Sequence, residues 1–109
     1  MFYLEGNRIY LTKGDTAYLT IALTNPDGSD YTPVTGDTIR FAMKALFTDA
    51  ECAINKQFDM TNLQLTFLPA DTKELLAGKE YVYDIELTDS EGRVTTVISD
   101  KLKLMEEVE

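Results

Sequence analysis

The stretch from Leu63 to Leu104 constrains this chain of 109 residues most. Leu63, Leu65 and Phe67 alternate with Gln64 and Thr66, the period of a strand with one apolar face. Pro69 ends that run, Asp71 caps a short helix with Glu74 as its capping partner, and Gly78 supplies the left-handed residue that closes it. Tyr81, Tyr83, Ile85 and Leu87 then alternate again, Asp89-Ser90-Glu91-Gly92 reverses the chain, and Val94 to Leu104 returns. A strand, a helical crossover near 70–77 and a hairpin, in that order, is how one sheet of an immunoglobulin-like sandwich hands over to the other.

Period two governs the rest. Ile9 and Leu11 alternate with Arg8, Tyr10 and Thr12, and Lys13-Gly14-Asp15 turns the chain into Thr16 to Thr24, where Ala17, Leu19, Ile21 and Leu23 share a face. Asn25-Pro26-Asp27-Gly28 reads as a type I turn. A loop through Tyr31, Pro33 and Gly36 leads to Thr38 to Ala45, with Ile39, Phe41 and Met43 inward. The segment Ala53 to Phe58 is a weaker strand, and its polar Asn55, Lys56 and Gln57 mark an edge. Gly14-Asp15-Thr16 and Gly36-Asp37-Thr38 repeat as turn chemistry rather than as a duplication. About seven strands without a long helix predict an all-β, immunoglobulin-like antiparallel β-sandwich, a single domain over 1–109. Its expected core holds Leu19, Ile21, Leu23, Ile39, Phe41, Leu65, Phe67, Ile85 and Leu87. Tyr81, just after the crossover, is the candidate for a tyrosine corner.

Charge and residue types narrow the function classes. Ten Lys and Arg face 19 Asp and Glu, a net charge of -9, which disfavours nucleic-acid backbones and anionic membrane surfaces. Histidine is absent, so Ser-His-Asp and Cys-His nucleophile systems are excluded and zinc sites disfavoured. Cys52 is the single cysteine, without a base to activate it and without a partner for an intrachain disulfide. Met1 to Arg8 lacks the basic start and apolar run of a signal peptide, so the expectation is a chain that folds in a cytoplasm.

Carboxylate chemistry remains. Asp84 and Glu86 share the outward face of one strand, but a glycosidase needs its pair across a cleft, and outward acids are solvated. Asp27-Gly28-Ser29-Asp30 and Asp89-Ser90-Glu91 crowd oxygens into turns without matching a calcium loop. The expectation is therefore a non-enzyme with no catalytic residue, no metal and no cofactor. Tyr10, Tyr18 and Val82 fall on the outward parity, an apolar stripe suited to contact. With Asn55 and Gln57 of the edge strand, Tyr10 and Tyr18 form the candidate interface.

These residues carry a resemblance. Lys13-Gly14-Asp15-Thr16 before an alternating strand, then Pro26-Asp27-Gly28, then Val34-Thr35-Gly36-Asp37-Thr38-Ile39-Arg40-Phe41, resembles the amino-terminal domain of phage baseplate upper proteins. Leu76-Ala77-Gly78-Lys79-Glu80-Tyr81-Val82-Tyr83-Asp84-Ile85-Glu86-Leu87-Thr88-Asp89 with Gly92 looks like that family's closing hairpin, so the likeness spans about residues 9 to 104. The resemblance implies an immunoglobulin-like module of a phage or prophage virion, assembled in the host bacterial cytoplasm. Its implied partners are other tail or baseplate proteins, with a homo-oligomer as a further option. Baseplate upper proteins continue into a part that holds a receptor-binding protein, whereas this chain stops at Glu109. The competing expectation is a bacterial adhesion or carbohydrate-binding immunoglobulin-like module.

Overall fold

The alternating runs become ladders in two sheets in the computed structural model, which describes residues 2–46 and 48–106. Their order is β1 (Phe2–Glu5), β2 (Arg8–Thr12), β3 (Ala17–Thr20), β4 (Thr38–Lys44), β5 (Ile54–Gln57), β6 (Gln64–Phe67), α1 (Pro69–Thr72), β7 (Glu80–Thr88) and β8 (Val94–Met105). One sheet runs β1-β2-β8-β7-β4-β5 and the other is the pair β3-β6. With β3 and β6 as strands B and E, and β8-β7-β4-β5 as G-F-C-C′, the neighbour relations follow the immunoglobulin sandwich. The all-β sandwich read from the sequence is therefore the fold, with eight described strands where about seven were expected. The added strand, β1, forms a hairpin with β2 through Gly6-Asn7.

One pairing is parallel: Ile9 lies opposite Leu102 and Leu11 opposite Leu104. Hairpins force their strands antiparallel, but β2 and β8 are joined through the whole domain, so no short turn dictates their direction. The chain instead crosses layers after β2. It does so through Thr12-Lys13-Gly14-Asp15, where Asp15 N–H donates to the Thr12 carbonyl at 3.1 Å. Asp37 N–H donates to Val34 in the same way at 3.0 Å, and Gly14 and Gly36 take φ of +84° and +97° at the third turn position. A type II turn needs a positive φ there, which is the physical content of the repeated Gly-Asp-Thr.

The core lies between the layers. Ile39, Phe41 and Met43 of β4, and Tyr81, Tyr83 and Ile85 of β7, face Leu19, Leu65 and Phe67 of the two-stranded sheet, all buried. The Phe41 ring stands edge-on to Phe67 at 5.4 Å and stacks on Tyr83 at 5.1 Å. Leu87 departs from the expected core and is half-buried, because the β3-β6 ladder stops short of it and a groove opens there. The ladder of β3 covers only Ala17–Thr20 of the expected run. Ile21 and Leu23 keep the alternation and stay buried through loop hydrogen bonds, Ile21 N–H to the Leu63 carbonyl (3.1 Å) and Tyr31 N–H to the Leu23 carbonyl (2.9 Å).

The crossover helix starts earlier than expected. Pro69 occupies the first helical position, where its missing N–H costs nothing. Asp71 is the third helical residue rather than the cap, and its Oδ2 accepts from Leu68 N–H at 2.7 Å. The helix ends at Thr72, so Gly78 does not terminate it; Gly78 sits in a later turn and its N–H donates to the Leu104 carbonyl at 2.6 Å. Thr72, fully buried, accepts from Gly14 N–H at 2.9 Å and ties the crossover to the β2–β3 turn.

Candidate functional site

Strand β5 is an outer strand of its sheet, as its polarity predicts, and Asn55 and Gln57 are exposed on it. Asn55 Oδ1 accepts from Arg40 Nη1 at 2.7 Å. Lys56 differs from its neighbours because period two turns it inward. Its ammonium donates to the Thr66 carbonyl at 2.8 Å and to Asp71 Oδ2 at 2.7 Å, closing the gap between the edges of the two layers. An inward-pointing charge on an edge strand also blocks pairing with a foreign strand.

Tyr18 is 58% exposed on the outer face of the two-stranded sheet. Tyr10 is half-buried and has the Arg8 guanidinium over its ring at 5.6 Å. The two tyrosines do not form one stripe: the layer crossing after β2 puts Tyr10 in the six-stranded sheet and Tyr18 in the other. Equal parity in the sequence therefore does not mean a shared face. Around Tyr10 the outer face is ionic: Tyr10 opposes Lys103, Lys103 opposes Glu80, and Glu80 pairs with Arg8 and, at 3.5 Å, with Lys101. Val82 lies between Lys44 and Lys101 in the next row.

Asp84 and Glu86 do share that outer face, Glu86 opposite Arg40 and Asp84 opposite Ala42. The depression beside Asp84, lined by Ala42, Lys44, Val82 and Tyr83, holds about 110 Å³, well below the volume of an ordinary ligand pocket. The acidic turns are occupied by their own donors. Asp27 accepts from the Ser29 hydroxyl (2.6 Å) and N–H (2.9 Å), which hold its carboxyl below the usual 3.8. Asp89 accepts from the backbone N–H groups of Arg93 and Glu91 and from the Arg93 guanidinium, and is lowered in the same direction. Among the described residues no three His, Cys, Asp or Glu converge as metal ligands. Cys52 is a free, half-buried thiol.

Two features escaped the sequence reading. The first is Asp37, 6% exposed, whose Oδ2 accepts from the Tyr31 hydroxyl at 2.6 Å and from Val34 N–H at 2.9 Å. The bond to Asp37, helped by burial, raises the Tyr31 phenol above 10.0. The repeated Gly-Asp-Thr was the available signal.

The second is a groove between the Ala22–Pro26 segment and the β7–β8 hairpin. It is lined by Leu23, Tyr31, Leu87, Val97 and Ile98 and holds about 440 Å³. A smaller hollow bounded by Leu4, Asn7, Leu19 and Tyr83 continues it, with Ala22 and Ile98 common to both. Beside this cleft β8 is half-paired: β7 accompanies it from Val94, but β2 joins only from Leu102. No sequence signal marks this edge, because it depends on where β2 begins. Tyr83 stands at its end, its hydroxyl donating to the Asn7 carbonyl. Burial, with the nearby Asp100 carboxylate, pushes that phenol from 10.0 up to about 12.

No described helix is long and apolar enough to cross a membrane. In comparisons with known proteins, no family model matches this chain and no curated protein matches it.

Proposed function

We propose that this protein is a non-enzymatic structural or assembly module of a phage or prophage virion, tail- or baseplate-associated, that works by docking to other proteins. The observation that carries the docking half is the imbalance of the sandwich. A sheet of six strands lies against a sheet of two, so among the described residues β3 and β6 each keep one lateral edge without a neighbouring strand. Strand edges present unpaired N–H and C=O groups that another chain extends directly. Exposed Tyr18 on the same small layer supplies a large, rigid contact group. The virion half rests on the resemblance of residues 13–16, 26–28, 34–41 and 76–89, with Gly92, to the baseplate upper family.

The test is to express the chain with a tag from its native genomic context and purify particles. Its presence at fixed stoichiometry in purified tails, cross-linked to a tail protein, is the expected result. Absence from particles, together with binding to a glycan array, would transfer the protein to the adhesion class.

A further inference from the structure

The open half of β8 and the groove beside it are one continuous feature. Among the described residues the strand has a partner only on the β7 side from Val94 to Asp100, leaving roughly 20 Å of edge. Behind that edge the layers part, and Leu23, Leu87, Val97 and Ile98 line the gap. Asp100 lies opposite buried Tyr83, on the inward parity of Leu102 and Leu104, and its Oδ1 accepts from the Lys101 N–H. The charges around the cleft that are left without an ion pair have one sign. Glu5 adjoins the hollow at Gly6, Asp27 follows Pro26, and Asp30 is bridged to Thr24. None of these, nor Asp100, has an ion-pair partner among the described residues. The neighbouring cations Arg8, Lys101 and Arg93 are already paired to Glu80, Asp89 or Glu91.

We propose that this half-edge seats an extended, basic peptide strand of a partner protein, which pairs with the β8 backbone, places alternate apolar side chains in the groove and sets a Lys or Arg against Asp100. The inference rests on the docking reading above and is independent of the virion setting. Main-chain bonds provide affinity in such strand addition, and the side-chain pockets select the sequence. A second copy of this chain is a poor occupant, since it brings another net charge of -9 to an acidic cleft. The register shift after Ile85, which leaves Val97 as a bulge, also works against flat edge-to-edge pairing.

The probe is a pair of synthetic peptides with valine at alternate, groove-facing positions and threonine between them, differing only at the groove-facing position opposite Asp100, which is lysine in one and glutamate in the other. Amide hydrogen exchange and chemical-shift mapping are read on the full chain. The lysine peptide is expected to protect amides within 94–100 and shift Ile98 and Leu23, with affinity falling at least tenfold between low and high salt. Asp100→Lys is expected to reverse the preference toward the glutamate peptide, an exchange that a folding defect does not produce; its circular dichroism controls for folding. Protection elsewhere, equal binding of both peptides or no binding at millimolar concentration overturns the proposal. So does a dimer that occludes 94–100 in sedimentation. In purified particles, a photo-cross-linker at Tyr18 that reacts while one at Ile98 does not overturns this site and leaves docking intact. Silence at both positions overturns docking as well.

Discussion

The hydroxyl of Tyr81 accepts a hydrogen bond from the backbone N–H of Leu76 at 3.1 Å. Tyr81 is 3% exposed near the start of β7, and Leu76 belongs to the turn that follows the crossover. One phenol thus pins the chain where it passes between sheets, the corner expected of a tyrosine at this place in an immunoglobulin-like sandwich. Tyr81→Phe keeps the ring in the core and removes only the acceptor. The expected cost is about 1 to 2 kcal/mol, seen as a lower urea midpoint with an unchanged slope. No shift in the midpoint would falsify the corner.

Phe41 contacts both layers, edge-on to Phe67 and stacked on Tyr83. Phe41→Ala is expected to cost about 3 to 5 kcal/mol, because a cavity opens among rings that cannot close over it. Leu87→Ala, at the half-buried rim of the groove, is expected to cost less than about 2 kcal/mol. Equal losses in denaturant melts would contradict the burial difference between the two sites.

Tyr83 links stability to alkaline pH. Its phenol is pushed from 10.0 up to about 12 in the folded chain, burial first and the Asp100 carboxylate second. The protonated form is therefore favoured by folding. This contribution is fully present below pH 10 and is lost as pH rises through about 12. The loss amounts to about 2 to 3 kcal/mol. Tyr83→Phe loses the bond to the Asn7 carbonyl at all pH values but has a flatter stability profile between pH 9 and 12 than the parent, on the order given by that shift. Parallel profiles for the two proteins would remove Tyr83 from the alkaline transition.

The loop 31–37 comes up against the β7–β8 turn at Gly36. A Cβ built on Gly36 would stand 2.6 Å from the Ser90 Cβ, at a φ of +97°. Gly36→Ala is expected to cost about 2 kcal/mol or more, from the left-handed backbone and the clash together. Ser90→Gly in the same chain relieves the clash but not the backbone strain, so a double-mutant cycle is expected to show positive coupling. Gly28→Ala, which meets open space at φ +89°, carries the strain alone and serves as the reference.

Lys56 holds the two layer edges together at β5 and β6, its side chain 25% exposed and that of Asp71 22%. Lys56→Met keeps the packing stem and removes the bonds to Thr66 and Asp71. A loss of about 1 to 2 kcal/mol is expected, below that of a fully buried pair because water reaches this one. Removing the inward charge also unguards the edge, so the variant is expected to self-associate more strongly than the parent in sedimentation. A more stable monomer would show that the ion pair is a net cost.

Much of the fold was legible because its determinants are local. Alternation over Thr38–Lys44 and Glu80–Thr88 places Phe41 and Ile85 in the core, since a strand residue faces the side opposite to its neighbours. The Asn25–Gly28 turn follows from proline and glycine at defined positions, and Gly28 N–H closes it onto the Asn25 carbonyl at 2.9 Å. The edge character of β5 and the Tyr81 corner were legible for the same reason. Of the four candidate contact residues, Tyr18, Asn55 and Gln57 are exposed and Tyr10 is half-buried amid ion pairs, and Tyr18 lies in the opposite layer from the other three.

The sequence by itself determined where strands run, where turns break them and which residues alternate inward, through sterics and side-chain period that act within a few residues. Tertiary structure alone decided the parallel union of β2 with β8, the bonding of Lys56 to Thr66 and Asp71, and the separation of Tyr10 from Tyr18. It also decided that, among the described residues, β8 has no second neighbour before β2 joins it. Each of these joins residues far apart in the chain, where the free energy depends on which surfaces meet, and no local pattern encodes which surface that will be.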